Sequence, residues 1–186
     1  MEDNHVEQTG NTVYGDQAGR DIIKHVIEQT GHPKIKALYV KLQEEAKNNS
    51  QLSHFIEELE EYTRKIDSEI IGLEEKLKLG SRDYILEFAS KSKEKFVKKL
   101  SRYQFSESAQ KIFVVLLAET FTRFHRSVYP LICAGRDIAE VNDAISREIS
   151  GPITKMLGEN IMELCAVEVE GMLYFLTGNC HIKWSK

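Results

Sequence analysis

The chain has 186 residues, 41% of them hydrophobic and 29% charged, with a formal net charge of −4. That length supports one domain with its own core plus a short appendage, and the composition is far from that of a disordered chain. The mild acidity gives no global attraction to nucleic acid. Three cysteines exclude a disulfide scaffold and suit a reducing compartment. No apolar run nears the roughly 20 residues that span a bilayer. The polar, acidic stretch Met1 to Gly10 carries no signal-peptide pattern. The expectation is a globular, soluble, cytoplasmic protein with no membrane partner.

Residues 1–32 form the first of two unequal parts. Gly10, Gly15 and Gly19 alternate with Asn and Asp, a turn-forming composition. Val13, Tyr14, Ile22 and Ile23 favour strands. Such an arm has too few apolar groups for a core, and an isolated hairpin is marginal in water. It must lean on the rest of the chain or pair with a second copy, whose strand would satisfy its edge. Val13, Tyr14, Ile22 and Ile23 are therefore the candidate self-association residues, and a homo-oligomer is the expected state.

Residues 33–186 read as a helical domain. Pro33 suits a first helical position, and Ile35, Leu38 and Leu42 follow at helical spacing. After Asn48, Asn49 and Ser50, a near-heptad alternation runs from Leu52 through Leu59, Ile66, Ile70 and Leu73 to Leu77, which predicts one long helix from Gln51. Gly80 is placed as its C-cap, with Ser81 capping the next helix. That helix puts Ile85, Phe88, Ala89, Phe96 and Leu100 on one face and ends near Tyr103. Ser106 or Ser108 opens the most apolar segment, Ile112 to Val128, expected to be the core helix and to end or kink at Pro130. Asp137 and Glu140 have capping-box spacing for a helix through Ile149. Gly151 and Pro152 then break it before another helix reaching about Val169. The tail, Met172 to Leu176 followed by Thr177, Gly178 and Asn179, predicts a β-hairpin; a helix ending at Leu176 with Gly178 as its cap is the rival.

Motifs for chemistry are sparse. No Gly-Lys-Ser/Thr follows the glycines, so no phosphate loop forms there, and neither a nucleophile elbow nor a His-Glu-x-x-His helix is present. Cys180 and His181 are adjacent, but Cys133 and Cys165 lie far off and no Cys-x-x-Cys exists, so no metal or cofactor is expected. Cys133 and Cys165 are expected to be small buried core residues, and His125 a hydrogen-bonded helix histidine. A third reading makes the chain a small enzyme using Cys180 or His181 near His125. Lys91, Lys95, Lys98 and Arg102 fall at i, i+4, i+7 and i+11, one basic stripe on a helix. They are candidates for contact with phosphate or with a partner protein, against the blander reading of a solvated face. The acidic pairs, Glu44 and Glu45 among them, are expected to be solvated. No catalytic residue is assigned.

Two stretches carry a resemblance. Residues 10–22, GNTVYGDQAGRDI, resemble glycine-punctuated segments of bacterial conflict proteins. Residues 171–184, GMLYFLTGNCHIKW, look like the end of small components of ABC-three-component systems, among them the Lamassu-type antiphage systems. The resemblance implies a small accessory subunit working with an SMC-like ABC ATPase that senses DNA and with an effector, often a nuclease. In such families the glycine-punctuated segment joins an effector domain to a helical module; here it stands near Met1. The expectation is a non-catalytic oligomerising or adaptor subunit linking ATPase and effector, with DNA reached through the complex. The alternative is a nucleic-acid-binding module using the basic stripe.

Overall fold

The computed structural model describes residues 7–8, 11–12, 31–48, 52, 54–66 and 72–186. The chain divides into two units, Met1–Thr30 and Gly31–Lys186. In the first, the two-residue strands β1 (Glu7–Gln8) and β2 (Asn11–Thr12) pair antiparallel. The strand-forming arm expected at Val13, Tyr14, Ile22 and Ile23 lies outside the described residues.

The second unit is helical. α1 (Pro33–Asn48) starts at its proline and buries Ile35, Leu38, Tyr39 and Leu42 against α5 (Glu107–Arg123). α2 (Glu57–Thr63) also packs on α5, through the fully buried Leu59. α3 (Leu73–Leu79) follows. The single long helix expected from Gln51 is thus replaced by short ones: Arg64 leaves α2 with extended backbone, and Gly72 enters α3 at φ +93°. Ile66, which the heptad reading put inside, is 49% exposed. Heptad spacing cannot by itself tell one helix from two that share an apolar phase.

A 3₁₀ turn (Asp83–Ile85) leads into α4 (Leu86–Arg102), which buries Ala89, Ser92, Phe96 and Leu100 and leaves Phe88 half exposed. Ser106 caps α5, its hydroxyl accepting from the Ala109 N–H. α5 buries Ile112, Phe113, Leu116 and Leu117. Pro130 neither ends nor breaks the helix. A π-helical turn, Phe124–Val128, carries the chain into α6 (Tyr129–Cys133) with Pro130 in its first turn. The same device recurs where Gly151 and Pro152 were expected to interrupt. Asp137 caps α7 (Ile138–Ile145), a second π turn spans Ser146–Ser150, and α8 (Gly151–Leu157) continues from it. A proline removes the bond to the carbonyl four residues back and its ring crowds that group. The wider π turn supplies the room. Pro152 has no N–H to offer the Glu148 carbonyl four residues back, and Arg123 Nη1 donates to that carbonyl from α5 at 3.2 Å. The two π turns pack against each other.

No hairpin forms at residues 172–184. Residues Ala166–Gly178 are a helix, α9, with Met172, Leu173, Tyr174, Phe175 and Leu176 all buried. It runs two residues past Leu176, and Asn179 is its C-cap. The expected continuous helix to Val169 is likewise replaced by irregular backbone at residues 158–165. A helix enclosed on every side carries no amphipathic period and reads like a buried strand. α9 lies along α4, and Gly171 brings the backbones together, since a Cβ there would sit 2.2 Å from the Ser92 carbonyl oxygen. At the centre, Phe96 stands edge-on to Phe113 and Phe175, with ring centroids 5.7 and 5.2 Å away.

Candidate interaction surface

The chain after α9 folds back over the helices. The Asn179 side-chain amide donates to the Tyr62 carbonyl, the buried Lys76 ammonium donates to the Ile182 carbonyl, and the Trp184 indole N–H donates to the Thr177 hydroxyl. Trp184 is 2% exposed and meets Phe124 edge-on. Its seat explains Gly80: a Cβ there would lie 2.6 Å from the Trp184 Cβ. With glycine held at the cap itself, the left-handed position that usually ends a helix falls one residue later, on Ser81 at φ +57°. Ser81 N–H donates to the Lys78 carbonyl and Arg82 N–H to that of Leu77, the paired bonds of a Schellman ending. Ser81 is therefore the left-handed residue of the preceding helix end and does not cap the next helix.

The turn delivers Arg82 into the corner. Its guanidinium lies 4.7 Å from the Trp184 ring centre, and Nη1 donates to Asn142 Oδ1 at 2.7 Å. The Asn142 amide in turn donates to the Tyr84 hydroxyl. Arg82 is 3% exposed, and burial pulls its pKa down, though an arginine remains charged. Beside it opens a cavity of about 240 Å³ lined by Leu79, Arg82, Arg136, Ile138, Trp184 and Lys186, among others, with no acidic side chain in its wall. Arg136 faces Glu140 at 3.8 Å, outside that wall.

The basic stripe exists. Lys91, Lys95, Lys98 and Arg102 are all exposed on α4. Lys91 pairs with Glu87 and Lys98 with Glu94, each one helical turn back. These pairs raise the lysine pKa at 91 and lower both carboxylates, side-chain hydrogen bonding being the chief cause. They leave the stripe less cationic than the sequence implied. Two residues missed earlier extend it at the same 4-3-4 spacing: Tyr84 and Phe88, 56% and 48% exposed. Phe88 stands edge-on to Tyr174 of α9, whose hydroxyl burial pushes well above its usual range. Sequence reading assigned Phe88 inward because an apolar residue at helical spacing usually is.

His125 and His181 do come together, through the His181 backbone: His125 Nε2 lies 3.3 Å from that carbonyl oxygen. The His181 ring rests by Tyr62, its Nε2 is buried without a hydrogen-bond partner, and burial lowers its pKa. Cys180 is buried, whereas Cys133 and Cys165 are exposed and not the core residues expected. Cys165 sits at the start of α9, its thiol and N–H both donating to Glu168. Among the described residues, no group of three or more His, Cys, Asp or Glu is gathered to hold a metal. No described helix is long and apolar enough to cross a membrane. One expected surface residue is structural. Glu45 reaches from α1 to accept from the hydroxyls of Ser106 and Ser108, both at 2.6 Å, and from the Ser108 N–H.

No curated protein and no solved structure matches the chain. Residues 72–184 match the family described as CTD9, C-terminal domain 9 of the ABC-three component (ABC-3C) systems. The match takes in α3 to α9, the corner at Trp184 and the whole stripe of α4. It spans more than half the sequence, and the chain belongs to this family of ABC-three-component proteins.

Proposed function

We propose that the protein is a non-catalytic adaptor of an antiphage ABC-three-component system, of the Lamassu type, which holds an SMC-like ABC ATPase and an effector together. The observation that carries this reading is the stripe Tyr84, Phe88, Lys91, Lys95, Lys98 and Arg102: aromatic at one end, basic along the rest, exposed throughout and inside the family match. Half-exposed aromatic rings over a packed base are the kind of anchor that protein interfaces use, and arginine and lysine set orientation at the rim. The arm at Val13, Tyr14, Ile22 and Ile23 would pair copies of the adaptor. The nucleic-acid reading is weaker because Glu87 and Glu94 each neutralise a lysine of the stripe.

The test is capture of the ATPase and effector components of its own system by the full chain. Phe88→Asp is expected to weaken capture at least tenfold without loss of helical signal. Failure of the unaltered chain to retain either component overturns the reading. In the same material, light scattering of Val13→Asp is expected to show a smaller species than the unaltered chain.

A further inference from the structure

The cavity beside Trp184 has an unusual electrostatic composition. Arg82 is buried at 3% exposure, yet its guanidinium meets a neutral amide and an aromatic ring. A buried cation without an anion bears a desolvation cost that a fixed counter-charge would offset. Two further cations, Arg136 and Lys186, line the same cavity; Lys186 Nζ would lie 3.9 Å from a Cβ placed on Gly135. The wall holds no acidic side chain, while Leu79 and Ile138 on it are 53% and 39% exposed. The opening is thus cationic inside with exposed apolar residues beside it.

We infer that this cavity is a docking site for an acidic segment of a protein partner, one carboxylate meeting the exposed Arg136 and Lys186 within the field of the buried Arg82, and an apolar neighbour covering Leu79 and Ile138. The inference rests on the adaptor reading and names the chemistry of its partner. Charge complementarity selects the anion, and the apolar residues favour a peptide over a free ion. A nucleotide fits poorly: the Trp184 ring, the aromatic surface of the wall, is covered by Arg82 and 2% exposed, so a base has nothing to stack on there. Arginine is suited to this role because its planar fork meets a carboxylate with two parallel bonds. The cavity also adjoins the aromatic end of the α4 stripe through the Arg82–Asn142–Tyr84 chain of hydrogen bonds. One partner chain could therefore engage both.

Trp184 is the only tryptophan in the sequence, so its fluorescence reports on this corner. The full chain is titrated to millimolar concentration with a blocked peptide alternating Glu and Leu, and separately with inorganic phosphate. A saturable change with the peptide is expected, at least tenfold weaker in the Arg136→Glu, Lys186→Glu double variant and unchanged in the Lys34→Glu control. These are exposed side chains, so the helical signal should be retained. No response to the peptide overturns the inference, as does a response that phosphate reproduces at equal concentration, which would mark a free-anion site. Capture of the ATPase and effector components by the same double variant separates the two readings. Undiminished capture overturns the cavity's role and leaves the adaptor reading standing.

Discussion

Gly171 of α9 passes so close to Ser92 of α4 that a side chain at 171 would meet the Ser92 carbonyl oxygen at 2.2 Å. Nothing flexible stands in the way; the obstacle is backbone. Gly171→Ala must therefore push the two helices apart along the most extensive helix pair of the domain. Overpacking of this kind costs about 2 kcal/mol or more. Equilibrium denaturation should show the lowered midpoint, with Ala166→Gly, at the start of the same helix, as a contrast of ordinary helix-propensity size.

Glu45 holds α1 to the start of α5 through three donors on Ser106 and Ser108. Hydrogen bonds to a charged group are the stronger class, and removing the acceptor leaves those donors to water or to nothing. Glu45→Ala is expected to cost about 2 kcal/mol, and Glu44→Ala, one residue away and exposed, to stay within about 0.5 kcal/mol of the parent. Equal effects at the two positions would show that the anchor contributes nothing.

His181 supplies a pH dependence. Burial lowers its pKa in the folded state, the backbone at Tyr62 and Arg64 working against that and Lys76 with it. The unfolded chain therefore takes up its proton first as pH falls, and stability drops once pH passes below the ordinary histidine value of about 6.5. The thermal midpoint should fall between about pH 7.5 and 5.5, above the ordinary carboxylate range of about 4, while the buried Glu170, whose pKa is raised, works in the opposite direction. His181→Gln should flatten that slope. An unchanged slope in the variant would place the titration elsewhere.

What the sequence revealed follows from what each signal measures. Caps that depend on one side chain and a fixed offset were legible: Ser106 and Asp137 both accept from the N–H three residues on. Periodicity worked for α1, α4 and α5, each with a wet and a dry face. It failed for α9, whose enclosure erases the alternation, and for α2 and α3, whose leucines share one phase across a break. Gly80 was located but its reason was not. It makes room for Trp184, a residue over a hundred positions away, while the left-handed position after the cap is held by Ser81. The candidate surface divided in the same way. The lysines of α4 were visible as a spacing, while their acidic partners altered what the spacing meant. Arg82 gave no local sign, because its burial depends on the C-terminal residues returning to cover it.

The paired π turns place a constraint of another kind on this domain. A helix advances about 100° per residue, so the extra residue within each wide turn rotates everything beyond it. Phe124–Val128 thereby sets the direction in which α6 presents Ile132 and, past its end, Arg136 to the corner at Trp184. Exchanging one side chain for another in that turn leaves this phase intact. Removing a single residue from 124–128 would swing Ile132 and Arg136 out of register, so chain length there is a constraint separate from the buried packing of Phe124 and Val128.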